Sequence, residues 1–153
     1  MQTAYLKLLT TDDIPQFMVL ARNFHEASPY RHTEFSETKV KDLSTTIVKA
    51  DKNESIIIGL FTDRLVGFIM CGYAESTFGN DKMGVELAWW VEEEYRGTRK
   101  SLELLLAFKD WAKRIGCSYI QTGSLEGLHP EKLEKVYNKM GMYKVESSFI
   151  GVL

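Results

Sequence analysis

The chain has 153 residues, 44 % of them apolar and 26 % charged, the proportions of an ordinary globular protein. At that length folding buries roughly two-thirds of the extended surface, so a core forms without covalent or metal staples, and one domain over residues 1–153 is expected. Nineteen Lys and Arg against 21 Asp and Glu leave a net charge of −2, which excludes a whole-protein attraction to nucleic acid or to an acidic membrane.

Cys71 and Cys117 stand far apart with no paired spacing and no neighbouring His. They read as reduced thiols, not as a disulfide framework or a metal site, and no metal is expected. The first residues, MQTAYLKLLTTDD, lack the basic, apolar and small-residue order of a signal peptide. The longest apolar runs, 56–61 and 104–108, fall well short of the about 20 residues that cross a bilayer. The expected location is the cytoplasm.

Residues 3–9 alternate and predict a first strand. Thr10 to Asp13 supply capping side chains, and Pro15 suits a first helical turn. Ile14, Phe17, Met18, Ala21 and Phe24 then form a helical stripe. A polar loop occupies 28–35, after which Ser36 caps a second helix with Val40, Leu43 and Ile47 facing inward. The period then changes. Residues 54–61, a tight turn at 62–64, and residues 65–75 read as an antiparallel hairpin. A loop leads into 83–91, a strand apolar on both faces and therefore central.

Glu92, Glu93 and Glu94 precede YRGTRKS and a helix carrying Leu104, Leu105, Phe108, Trp111, Ala112 and Ile115, closed by Gly116. A strand at 118–125 follows. Pro130 opens a last helix with Leu133, Val136, Tyr137 and Met140, and a final strand is expected at 142–150. The order β, α, α, β, β, β, α, β, α, β describes an α/β fold with no internal repeat.

One junction breaks a local rule. A helix N-terminus carries about half a positive charge and favours acids in its first turn, yet Arg96, Arg99 and Lys100 crowd this one. With Gly97 allowing close backbone approach, the cations and free N–H groups describe an anion site suited to phosphates. The alternative is a solvated charge run neutralised by Glu92–Glu94.

The V-x-x-x-YRG-x-x-x-S pattern, set between a central strand and an amphipathic helix, resembles the acetyl-CoA-binding motif of the GNAT superfamily of N-acetyltransferases, Q/R-x-x-G-x-G/A. LVGFI at 65–69 is similar to that family's third strand, and VYNKMGM at 136–142 to its Tyr-x-x-x-Gly-Phe ending, with Met142 in place of Phe. The element order matches over nearly the whole chain. The sequence departs from the pattern at Arg99 and Ser101, which replace the motif glycines. The Asn common early in the family's last helix is missing near Pro130.

The resemblance implies one mixed, mainly antiparallel sheet, splayed between its fourth and fifth strands and covered by helices on both faces. Pantetheine would lie in the splay against the backbones of Trp89 and Val91, and the Val91 N–H could polarise the thioester carbonyl. Arg96, Gly97, Thr98, Arg99, Lys100 and Ser101 would hold the CoA phosphates. There Arg99 either obstructs the pyrophosphate or binds it, and Ser101 adds a hydroxyl donor. Tyr137 would protonate the departing thiolate; otherwise it is a core aromatic. Glu86, a carboxylate in an apolar strand, is the expected base for the acceptor amine; otherwise it belongs to an ordering ion pair.

Glu75, Asp81, His25 and His32 are secondary candidates. Trp90, read by simple alternation, shares Glu86's face and lines the acceptor pocket or the core. With acetyl-CoA as co-substrate, the implied reaction is direct attack by a primary amine of a small molecule or peptide in a ternary complex. A catalytically silent module of the same fold and a protein binding another nucleotide are the rival readings. Only 12 residues follow Gly141, so the last sheet edge is expected to be either short or completed by a second subunit, as in a homodimer.

Overall fold

The computed structural model describes residues 3–153. Its five strands are β1 (Tyr5–Leu8), β2 (Ile56–Phe61), β3 (Leu65–Glu75), β4 (Lys82–Val91) and β5 (Tyr119–Gln121). Its α-helices are α1 (Ile14–Ala27), α2 (Glu37–Lys49), α3 (Arg99–Arg114) and α4 (Pro130–Lys139). The strands lie side by side in chain order. β1 through β4 pair antiparallel, and β5 joins β4 in parallel.

Two apolar layers sandwich the sheet. Phe17, Leu20 and Ala21 of α1, with Ile47 and Val48 of α2, pack on Ile57, Phe68 and Met70. On the other face, Leu104, Leu105, Phe108 and Trp111 of α3 pack on Ile56, Ile58, Ile69 and Cys71, and Val136 of α4 and Met140 at its C-cap lean against the same layer. Each such fully buried side chain contributes roughly 1.5–3 kcal/mol. The inward position expected for Leu43 on α2 is not observed, since Leu43 is 50 % exposed. The inward position belongs to Ser44, whose hydroxyl satisfies itself on the Val40 carbonyl at 2.8 Å.

Gly84 sets how closely α3 approaches β4. A Cβ built there would stand 2.8 Å from the Ala112 Cβ and 3.3 Å from the Phe108 ring. The ladder from β4 to β5 runs only from Met83–Tyr119 through Gly84–Ile120 to Val85–Gln121. Among the described residues β4 has no strand partner on that side from Glu86 onward, which is the splay expected between the fourth and fifth strands.

Three further expectations are corrected. The strand predicted at 118–125 is confined to 119–121, because the chain leaves β4 at the splay. No strand forms at 142–150. Those residues are tied to the body by the Met142 N–H, which donates to the Tyr137 carbonyl at 3.0 Å, and by the side-chain contacts of Lys144 with Glu134 at 3.0 Å and of Glu146 with Gln121 at 3.5 Å, and Phe149 is 96 % exposed. Alternation requires an edge to pair with, and a three-residue β5 offers few positions. Lastly, Trp90 does not share a face with Glu86. Met70 pairs with Ala88 and Cys71 with Glu86, so Leu87 has no partner on β3. That bulge reverses the alternation: Trp90 joins the α1 layer, while Glu86 stands opposite Cys71 on the α3 face.

Candidate active site

Because the Glu92 N–H donates to the Val66 carbonyl on β3, alternation turns the backbone groups of Trp89 and Val91 towards the splay. The Val91 carbonyl confirms that direction, since it accepts from Arg96 Nε at 2.7 Å. The Arg96 guanidinium lies 4.5 Å over the Trp90 ring, fixed by stacking and by that bond. The indole N–H groups of Trp89 and Trp90 are both buried without a protein acceptor, an arrangement that costs about 1–3 kcal/mol for each orphaned donor.

Beyond β4 the chain turns through Gly97, whose φ of +71° lies in the left-handed region that glycine adopts without strain. Thr98 caps α3 by accepting from the Ser101 N–H at 3.2 Å. Ser101 is buried, and its hydroxyl donates to the Thr98 carbonyl at 2.8 Å. The hydroxyl expected to reach an anion is therefore engaged within the cap. Among the described residues, the N–H groups of Gly97, Thr98, Arg99 and Lys100 have no acceptor. Four successive open amides at the positive end of a 16-residue helix form an anion cradle.

The Arg99 side chain is 93 % exposed and turned towards Glu103, 3.6 Å away, which also holds Lys100 at 2.9 Å. Arg99 thus does not fill the cradle. Glu103, one helical turn on, is the acid that faces these cations. Glu92 binds Arg64 through both carboxylate oxygens, at 2.9 and 2.6 Å, with Glu94 alongside at 3.8 Å. The alternative reading, neutralisation of the cations by Glu92–Glu94, does not form: among the described residues no ion pair joins those glutamates to Arg96, Arg99 or Lys100.

Where the splay opens, side chains from β4, from the residue after β5 and from α4 meet. Glu86 Oε2 accepts from Thr122 Oγ1 at 3.0 Å and from the Gly123 N–H at 3.3 Å. The Tyr137 hydroxyl, reaching in from α4, donates to the Gly123 carbonyl at 2.6 Å and lies 3.1 Å from Thr122 Oγ1. Burial pushes the Glu86 carboxyl above its ordinary range, against the opposing pull of the two bonds it accepts. Burial also pushes the Tyr137 phenol up to about 12, with the negative Glu86 adding to the rise. No ion pair engages Glu86 among the described residues. Thr122 and Gly123 were not singled out by sequence, where 118–125 reads as an unremarkable strand.

The secondary candidates lie elsewhere. Glu75 pairs with Lys82 at the far end of the β3–β4 hairpin, and Asp81 belongs to its loop. The His25 ring bonds Thr33 Oγ1 at 3.2 Å, and His32 ends a 3₁₀ turn at Pro29–His32.

The profile of the acetyltransferase (GNAT) family matches residues 17–142. This chain belongs to the GNAT family. Solved structures of GNAT-type enzymes share its fold at low sequence identity. A Trypanosoma brucei acetyltransferase is 19 % identical, with 99 % of this chain and 100 % of that one covered and a TM-score of 0.74. Glucosamine-6-phosphate N-acetyltransferase from Arabidopsis thaliana is 13 % identical, with 99 % of each chain covered and a TM-score of 0.75. AAC(6')-Iy, solved with the bisubstrate analogue CoA-S-monomethyl-acetylneamine, is 12 % identical, with 99 % of this chain and 98 % of that one covered and a TM-score of 0.73. No curated protein sequence matches. Against the GNAT phosphate-binding pattern, the substitutions at Arg99 and Ser101 leave the open amides of the loop intact, because one side chain points outward and the other is folded into the cap. No helix among the described residues is long and apolar enough to cross a membrane.

Proposed function

We propose that this GNAT protein is a cytoplasmic acetyl-CoA-dependent N-acetyltransferase acting on a primary amine of a small molecule or peptide. The observation that carries the reading is the Glu86–Thr122–Tyr137 cluster at the mouth of a splay whose far end leads into open amides. The unpaired edge of β4 suits an extended arm rich in amides, which the backbones of Trp89 and Val91 would bind as an added strand. The orphaned Trp89 indole is a further donor for such an arm. The N–H groups of Gly97 through Lys100 would bind its phosphates, with Arg96 held at the edge of the gap. Arg99, Lys100 and the Thr98–Ser101 cap would add charge and keep the turn in shape.

An amine with a pKa near 10.4 is mostly protonated at neutral pH, so transfer requires a base. Glu86 fits that role, since its desolvated carboxyl is a stronger base than an exposed one. Tyr137, protonated throughout the neutral range, would give its proton to the leaving thiolate. The reacting carbonyl must lie near both side chains. Trp89 is closer along β4 to Glu86 than Val91 is, and its N–H is the better placed of the two to polarise the carbonyl oxygen. Attack is direct in this scheme, in a ternary complex. The structure of AAC(6')-Iy with the bisubstrate analogue CoA-S-monomethyl-acetylneamine supports that route. An incomplete sheet edge beside an apolar 142–153 segment favours a homodimer.

The test is thermal unfolding with acetyl-CoA, CoA, ATP and NADH in parallel, followed by thiol release with a panel of polyamines, aminoglycosides and peptides. A ligand at 100 times its Kd stabilises by about 2.7 kcal/mol. Stabilisation by both CoA species alone, with thiol release on at least one amine, is the expected result. CoA stabilisation without release from any amine would identify a silent binding module, and a response to ATP or NADH alone would identify a different nucleotide.

A further inference from the structure

Glu86 and Tyr137 do not touch each other. Each meets the same third atom. Thr122 Oγ1 lies 3.0 Å from Glu86 Oε2 and 3.1 Å from the Tyr137 hydroxyl, both ordinary hydrogen-bond lengths. A threonine hydroxyl has one proton to donate and two lone pairs with which to accept, so it serves both neighbours only by donating to one while accepting from the other. At rest it donates to the Glu86 carboxylate while the Tyr137 proton is directed to the Gly123 carbonyl at 2.6 Å, so the 3.1 Å contact between the two hydroxyls becomes a hydrogen bond only when one of those protons turns into it. Thr122 is thus a switchable link between the two groups, mounted on the short stretch of chain that leaves β4 where the splay begins.

We propose that Thr122 is a positioning residue that joins Glu86 to Tyr137 as one proton relay. The inference rests on the roles given to those two groups above. The amine attacks in its neutral form, its ammonium proton having first been lost to solvent; as the nitrogen forms its bond to the acetyl carbon, one of its two remaining protons passes to Glu86. As the carbon–sulfur bond breaks, the sulfur keeps the bonding pair and takes the Tyr137 proton. The Thr122 hydroxyl then turns, gives its proton to the Tyr137 oxygen and receives the one held by Glu86. One N–C bond has formed, one C–S bond has broken, and one proton has moved from nitrogen to sulfur. Glu86, Thr122 and Tyr137 end as they began, with no proton exchanged with solvent between the two half-steps.

The surroundings suit a closed relay. Glu86 faces Cys71 from β3, Thr122 and Gly123 from the end of β5, and Tyr137 from α4. Burial pushes the Cys71 thiol well above its usual range, so it neither supplies nor removes a proton near neutral pH. No Lys, Arg or His among the described residues pairs with the carboxylate. Among the described residues, Thr122 is the only polar side chain within hydrogen-bond distance of both Glu86 and Tyr137.

The experiment compares Thr122→Val and Thr122→Ala, which lack the hydroxyl, with Thr122→Ser, which keeps it. The first readout needs no turnover. Tyrosine is labelled with carbon-13 at the ring carbon bearing the hydroxyl, the Tyr137 resonance is identified by its loss in Tyr137→Phe, and its shift is followed as Glu86 titrates. The Glu86→Gln variant defines the inflection that belongs to Glu86. The relay predicts that this inflection shrinks by at least about half without the hydroxyl and returns with serine. An inflection of full size in both Thr122→Val and Thr122→Ala would show that Tyr137 senses Glu86 through space, and would overturn the proposal.

The second readout is kinetic. Without the hydroxyl, kcat falls by about tenfold or more while KM for acetyl-CoA stays within about twofold, and serine restores the rate. In mixtures of light and heavy water, the wild-type rate reports several protons in flight and the valine variant fewer. A wild-type rate in Thr122→Val, with Glu86→Gln and Tyr137→Phe both slow, would remove the relay and leave the acetyltransferase reading intact. Loss of the resonance coupling in a protein that acetylates no amine would leave Thr122 as a hydrogen-bonded link between the two groups and would overturn both the acetyl-transfer reading and the relay built on it.

Discussion

Leu87 is one residue more than β3 can pair, and the consequence is chemical. By breaking the alternation, the bulge sends Glu86 to the α3 face, where the divergence of β5 offers Thr122 and Gly123 as partners. Glu86 itself was readable in the sequence as a carboxylate among apolar neighbours, and Tyr137 through its motif. Thr122 was not, because a hydroxyl at the end of an ordinary strand carries no local signal. The face of Trp90 was misread for a related reason: a bulge is a property of two strands and leaves no mark on one. Since Glu86 must lose its proton to act as base, and burial raises its pKa, the transfer rate should rise with pH through a midpoint above the ordinary carboxylate range. Glu86→Gln should lower kcat/KM and flatten that acid limb. Tyr137→Phe should lower kcat by about 10²-fold and leave acetyl-CoA affinity within about twofold. An unchanged pH–rate profile in the first variant, or an unchanged rate in the second, would remove that residue from the chemistry.

At the scale of elements, the helical stripes and the β2–β3 hairpin were readable because their periods record burial directly. The expected strand at 142–150 was not secure on the same grounds, since alternation describes a face and says nothing about whether an edge is free to receive it. The packing of α3 on β4 depends on Gly84. Gly84→Ala places a methyl group 2.8 Å from Ala112, with no flexible side-chain end to yield. It should destabilise the protein by about 1–3 kcal/mol, read as a lower urea midpoint at unchanged slope, and an unshifted midpoint would mean that α3 moves freely. The N-terminus of α3 yields a separate prediction. Because Arg99 is solvent-exposed and its backbone N–H is what faces the cradle, Arg99→Ala should leave stability within about 0.5 kcal/mol. The loss of its charge should weaken CoA binding by no more than about tenfold, measured by calorimetry. Tighter binding would mean that the side chain swings back across the cradle.

For the molecule as a whole, the splay that exposes β4 also leaves a carboxyl desolvated without a cation to balance it, so the proposed function and stability are set against each other. The sign follows from proton linkage. With its folded pKa raised, Glu86 holds a proton more readily in the native state than in the unfolded chain, where it titrates near 4.3. Its relative stabilisation is complete below that value and is lost as pH rises through the folded pKa, so near neutrality the ionised Glu86 is a net burden. Glu86→Gln keeps an oxygen to accept from Thr122 and Gly123 while removing the charge. The variant should therefore unfold at a higher temperature than wild type at pH 8, with the gain shrinking towards zero as pH falls to 4. Asp13 titrates in the same acid range. Burial raises its pKa, but the Thr10 N–H at 2.8 Å and Lys7 at 3.2 Å outweigh that effect and hold it below the usual value. Stability from Asp13 is therefore present above its unfolded pKa and lost in acid. That loss is common to both proteins and cancels in the comparison. A difference in unfolding temperature that stays constant from pH 4 to pH 8 would show that the substitution acts through packing, and would remove the charge of Glu86 as the source of the trade-off.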